Sequence, residues 1–214
     1  LKREEVVIAM SGYKNLSGVD LAESDLHRVD LNGANLFKAN LSGAVLTEAN
    51  LTGTEFPEAN MTESKLNRAQ AGKAYLHRAD LRDADLSEIN LSGADLSRAN
   101  LEGANLEGAN LSGAQMYRAN LRGANLRGAD LAKADLSHLD AEGARLDGAD
   151  LGGANLEGAK LHACKLREAN LFAATLTDVD LTDADLTWAA LSEAKLKGAR
   201  LYRTVLTPNL MYAN

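Results

Sequence analysis

From Leu16 to Leu206, every fifth residue is a large apolar side chain or its small replacement, and the register never slips. Thirty-four of these thirty-nine positions are Leu; the exceptions are Phe56, Met61, Ala71, Met116 and Ala141. Two residues before each stands a small residue, usually Ala, and directly before it stands Asp or Asn as a rule. Gly often follows two residues after, as at Gly93, Gly103 and Gly108. A period of five suits neither regular element. A strand face recurs every two residues and a helix face near every 3.6. A five-residue step turns a helix by roughly 140°, which scatters the leucines round the cylinder. In a strand the same step sends successive leucines to opposite faces. A coil that turns a corner every five residues does gather them. Each pentapeptide then forms one short side, each Leu points to the axis, and four sides close a coil, so residues twenty apart stack. One repeat is too small to bury anything alone, so neighbouring coils build the core jointly.

Runs such as Ala94-Asp95-Leu96-Ser97-Arg98 and Ala104-Asn105-Leu106-Glu107-Gly108 resemble the pentapeptide-repeat proteins, over residues 14–208. The resemblance implies an all-β fold, a right-handed quadrilateral parallel β-helix, with the central Leu and the preceding small residue inward and the other three positions in solvent. Thirty-nine repeats would make almost ten coils. At about 4.8 Å per coil the rod would be roughly 45–50 Å long. Two irregular sites fit this stacking. Phe56, Met61, Leu66 and Ala71 would share a coil, where two larger side chains offset the small Ala71. At Leu139/Ala141 the large and small inward residues have exchanged places. Both are expected to keep the core close-packed.

One uniform pattern over 214 residues predicts one domain. The expected division is an N-terminal cap at 1–13, the repeat coil at 14–208, and a C-terminal cap or dimer contact at 209–214. An open coil end exposes unpaired backbone, which invites aggregation unless covered. Residues Val6–Met10 and the C-terminal Leu210, Met211 and Tyr212 are the candidates to cover the ends. The second group could equally form a homodimer contact. Some pentapeptide-repeat proteins do dimerise end to end, so the resemblance leaves monomer and end-to-end homodimer both open. No apolar run is long enough to span a membrane, and Val6–Met10 is too short for a signal peptide. The expected location is the cytoplasm, although a chain starting at Leu1 leaves room for a removed targeting segment. The single cysteine, Cys164, fills a small inward slot and is expected to be a buried thiol.

Charge gives the only directional hint. A net charge of −7 argues against direct nucleic-acid binding. Sorted by coil position, the side centred on Leu21, Leu41 and Leu81 carries ten acids against five bases. Asp80, Asp83, Glu102 and Asp140 are its candidate partner-binding residues. The side centred on Leu36 is balanced, with Lys38, Arg78, Arg98 and Arg118 in line and Phe37, Tyr75 and Tyr117 nearby. The side centred on Leu31 is flat and poor in charge. A solvated surface accounts for all three. The functional alternative is DNA mimicry by the acidic side. Some pentapeptide-repeat proteins resemble B-form DNA and bind DNA gyrase, protecting it from quinolones. This chain departs from them by centring on Leu rather than Phe and by having no interrupting loop.

Nothing in the sequence points to catalysis. His27, His77, His138 and His162 are scattered outward positions. His77 and His138 share a side but lie three coils apart, about 14 Å. Without a second Cys or a close His pair, no zinc site is expected. The glycines fall at five-residue spacing and form no phosphate-binding loop. The Asp and Asn residues are expected to stack in ladders that brace the coils. The reading is a non-catalytic scaffold without cofactor or metal, binding an unidentified protein partner.

Overall fold

In a computed structural model, which describes residues 14–207, residues twenty apart pair side by side. Parallel bridges run from Asn15↔Asn35 to Asp180↔Arg200 without a missing rung. They end in two short parallel strands, β1 (Asp185–Leu186) and β2 (Val205–Leu206), in the register Asp185↔Val205. Four pentapeptides therefore make each turn of the coil. The bridging residue is always the one before the central apolar position, the site of the Asp/Asn rule.

The repeat around Leu96 shows how five residues satisfy their five amides. The Leu96 N–H donates to the Gln115 carbonyl at 2.7 Å and the Arg98 N–H to Tyr117 at 2.9 Å, both on the next coil. The Asn100 N–H donates back to Ala79 on the preceding coil at 2.9 Å. The Ala99 N–H closes a tight turn onto the Leu96 carbonyl at 3.0 Å. The Ser97 N–H points outward, where no main-chain carbonyl reaches it. It donates instead to Oδ1 of Asp95 at 2.9 Å. The same bond recurs at every Asp or Asn of the bridging columns, from Ser17 N–H to Asn15 to Thr187 N–H to Asp185. The rule thus has a physical cause: a short carbonyl or carboxylate two residues upstream supplies the acceptor that this amide lacks from the main chain.

The turn also explains the recurrent Gly. In all thirty-eight described turns with a third residue, from Gly18 to Arg203, that residue has positive φ and the second does not. This is the type II pattern, which favours Gly there. Twenty-three turns use another residue, such as Arg98 (φ 59°) or Trp188 (φ 64°). Each accepts strain of about 1 kcal/mol, offset by the ladder on both sides.

The core is one column of Leu lined by Ala, almost all fully buried. Phe56 and Met61 are buried beside Ala71, as expected of a coil that must fill one small position with two larger ones. Leu139 and Ala141 are both 2% exposed, so the exchanged pair points inward. The cavity beside them, lined by Leu121, Leu126 and Leu146 among others, holds only about 10 Å³. At about 24 cal/mol per Å³, that costs only a few tenths of a kcal/mol. Three fully buried polar residues replace Ala in the small slot without leaving an unpaired group. The Thr54 hydroxyl donates to the Leu31 carbonyl, the Ser64 hydroxyl to Met61, and the Cys164 thiol to Ala141. The stacked ladders also appear: Nδ2 of Asn40 donates to Oδ1 of Asp20 at 2.9 Å, and Asn50 to Asp30 likewise. The cap assignments at 1–13 and 209–214, and Leu210, Met211 and Tyr212, lie outside the described residues.

Candidate partner surfaces

On the acidic side, the five bases are all paired with acids of the same side. Arg82 grips Asp80 with Nη2–Oδ2 at 2.6 Å. Arg122 reaches Asp140 at 3.5 Å and Glu142 at 2.6 Å. Lys160 reaches Asp140 at 3.4 Å, Arg200 reaches Asp180 at 3.8 Å, and Arg203 reaches Asp183 at 2.9 Å. The hydrogen bonds and charge of Arg82 hold the Asp80 carboxyl below the usual carboxylate range, against some desolvation. Among the described residues of this side, the acids that form no ion pair are Asp20, Glu23, Glu63, Asp83 and Glu102, all in the N-terminal half. The four candidates therefore separate. Asp80 and Asp140 are ion-paired, whereas, among the described residues, Asp83 and Glu102 form no ion pair and feel the charge of Arg82 only at longer range. The Asp83 N–H donates to the Glu102 carbonyl at 3.0 Å, which sets these two on adjoining coils.

The line of bases on the Leu36 side is partly tied down. Lys38 and Arg78 approach Glu58 at 3.6 and 4.0 Å. Lys38 also lies over the Phe37 ring at 4.9 Å, and Arg118 over Tyr117 at 5.1 Å. His138 meets Tyr117 edge-on at 5.8 Å. Among the described residues, no three His, Cys, Asp or Glu side chains cluster in a metal-binding arrangement.

The fourth side, centred on Leu26, Leu46 and Leu86, holds a feature that the sequence reading did not single out. Its first half is an alternating charge ladder. Arg28 pairs with Glu48 at 2.7 Å and Arg68 with Glu88 at 3.0 Å, one coil apart in each case. Those arginines hold both glutamates below the usual carboxylate range. The column then continues as Gly108, Gly128 and Gly148, with open space where side chains would stand at the last two. Beside them lies a groove of about 640 Å³, lined by Arg127, Arg145, Asp147, Arg167, Glu168 and Trp188. A second hollow of about 490 Å³ adjoins it and adds Lys165. Trp188, the only tryptophan of the chain, is 66% exposed at its rim. The visible signal was a double break in the rule: Arg145 and Lys165, twenty apart, stand where Asp or Asn belongs.

Residues 15–53, 39–77, 74–113, 114–153 and 169–207 match the family model for pentapeptide repeats. No curated protein sequence matches the chain. Among solved structures, HetL is a pentapeptide repeat protein involved in heterocyst differentiation regulation from the cyanobacterium Nostoc sp. strain PCC 7120. It is 35% identical, with 95% of this chain and 98% of that one covered, at a TM-score of 0.42. Trypsin-treated QnrB1, a plasmid-mediated fluoroquinolone resistance protein, is 24% identical over 89% of this chain and 91% of its own, at a TM-score of 0.66. No helix among the described residues is long and apolar enough to cross a membrane.

Proposed function

Because the chain belongs to the pentapeptide-repeat family, we propose that it is a non-catalytic scaffold whose outer sides bind a protein partner. The coil is taken as right-handed, in almost ten turns, the form pentapeptide-repeat proteins adopt. The observation that carries the reading is the division of labour in each repeat. Inward positions are filled and satisfied, so function is left to side chains on a rigid outer lattice. The five unpaired acids gathered in the N-terminal half, with Asp83 and Glu102 on adjoining coils, are the favoured contact surface. Asp80 and Asp140 flank it. No cofactor or metal is invoked. End-to-end pairing through Leu210, Met211 and Tyr212 belongs to the same proposal. Capture of a specific partner that loses affinity when Asp83 and Glu102 are reversed to Lys supports it; a partner indifferent to that change refutes the acidic surface.

The second reading is a DNA mimic that binds gyrase, favoured by the same unpaired acidic stripe. The likeness to QnrB1 supports the fold alone. A supercoiling assay with purified protein separates the two. Inhibition, or protection against a quinolone, favours mimicry, and neither effect leaves the scaffold.

A further inference from the structure

Where a bridging position is not Asp or Asn, the amide two residues on loses its acceptor. In the column from Asp85 to Asp185, Ser87, Glu107 and Arg127 donate to Asp85, Asn105 and Asn125, and Thr187 donates to Asp185. Between them the series stops for two rungs, at Arg145 and Lys165. Among the described residues, the amides of Asp147 and Arg167 have no hydrogen-bond partner. Two main-chain donors on consecutive coils thus lack the oxygen that the repeat normally supplies. The residues that displaced it are cations.

Three other two-rung gaps occur, at Val45/Lys65, Glu55/Tyr75 and Thr175/Lys195, and none has a cation on both rungs. The Arg145/Lys165 gap alone also opens on the groove with Arg127 and Arg167 beside it. Arg167 pairs with Asp185 at 3.3 Å, whereas Arg127, Arg145 and Lys165 form no ion pair among the described residues. Guanidinium and ammonium groups beside unserved N–H donors are suited to carboxylate oxygens. We propose that this gap is a docking site for an acidic protein segment, whose neighbouring carboxylates replace the two missing Asp/Asn oxygens about 4.8 Å apart. The inference rests on the scaffold reading and names a second contact surface for it. Asp147, Glu168 and Asp185 also face the groove or its adjoining hollow. They repel a uniform polyanion such as single-stranded nucleic acid, while a peptide can meet them with its own N–H groups.

Trp188 allows a direct test, because fluorescence from the only tryptophan reports on the groove. The probe is a Trp-free peptide of alternating Glu and Gly, with the Gln-Gly peptide as control. Arg145→Asn with Lys165→Asn restores the oxygen of the repeat to both amides and removes both charges. The expected result is saturable, salt-sensitive quenching by the Glu peptide alone, weakened about tenfold or more in the double variant, while the melting temperature holds or rises. The proposal is overturned if the double variant binds as the parent does. It also fails if the Gln peptide binds equally, or if an oligothymidylate binds more tightly than the Glu peptide. A captured partner that binds the double variant normally while the Glu peptide fails to bind sinks this site and leaves the scaffold standing. Peptide binding without any cellular partner does the reverse.

Discussion

Pro57 stands two residues after Glu55, at the position whose amide is served by Asp or Asn in twenty-five other repeats. Glu55 is too long to form that short-range turn, and proline removes the donor that would be left without a partner. Pro57 is also the second residue of its turn, where its fixed φ suits a type II geometry. The pair therefore solves by deletion what the Asp/Asn rule solves by hydrogen bonding.

This relationship predicts a non-additive double-mutant cycle. Pro57→Ala should destabilise by about 0.5–1 kcal/mol, through a freer unfolded chain and an unserved amide. Glu55→Asn should change little beside Pro57 but recover about 1 kcal/mol in the Pro57→Ala background, where it gains a donor. Thermal melts of the four proteins would show it; additive shifts would dismiss the amide account.

Gly158 and Gly128 separate two costs. Both have positive φ, +63° and +62°. A Cβ at 128 meets open space, whereas one at 158 would lie 2.6 Å from Nδ1 of His138. Gly128→Ala should cost about 1 kcal/mol from the left-handed backbone alone. Gly158→Ala should cost more, and His138→Ala should bring it back to the Gly128→Ala level. Equal melting temperatures for the two Ala variants would show that the ring moves aside freely.

In the core, Leu106 is fully buried and Glu107 is exposed, accepting one hydrogen bond from Asn125 at 3.0 Å. Leu106→Asp places a carboxylate among stacked leucines and should unfold the central coils. Glu107→Lys should shift stability by less than about 0.5 kcal/mol. Indistinguishable melts would invert the assignment of inside and outside.

Cys164 links burial to pH. Desolvation pushes its thiol up to about 12 from an ordinary value of 9.0. The folded chain therefore holds this proton more tightly than the unfolded one. The stabilisation is complete below pH 9 and is lost as pH rises toward 12. At neutral pH the folded protein should resist a thiol reagent and become reactive only on unfolding. Rapid labelling of native protein would contradict the closed core.

Much of this was legible in the spacing, for a physical reason. A core built from one residue per side leaves a strict period, and even the Leu139/Ala141 exchange announced itself as a volume swap. The Asp and Asn ladders were also foreseen, but as braces between coils. Their service to the amide of residues such as Ser97 depends on turn geometry that the period does not encode. The acidic side was visible as a sum of charges, whereas its pairing was not. Summation gave Asp80 and Asp83 equal standing, although Arg82 lies against the first and no cation pairs with the second among the described residues. The groove escaped because opposite charges elsewhere on its side cancel the local excess near Arg145 and Lys165.

That pairing sharpens the prediction for the acidic surface. If it is the working surface, reversing Asp80, Asp83, Glu102 and Asp140 to Lys should abolish partner binding with the fold intact. Reversing Lys38, Arg78, Arg98 and Arg118 to Glu should have little effect. Within the first set, Asp83→Lys with Glu102→Lys should carry most of the loss, because among the described residues these carboxylates form no ion pair and feel only the charge of Arg82, which is already bonded to Asp80. Asp80→Lys with Asp140→Lys should weaken binding less and lower the melting temperature more, since it strands Arg82 and Lys160 beside new like charges and sets another beside Arg122, which keeps Glu142. Attraction by the surface should fade with salt, because screening is strong beyond about 8 Å at physiological ionic strength. Titration calorimetry of the two double variants across a salt series measures the binding losses, and thermal melts measure the stability difference. Equal losses from both pairs would mean that net charge, not the unpaired stripe, governs recognition.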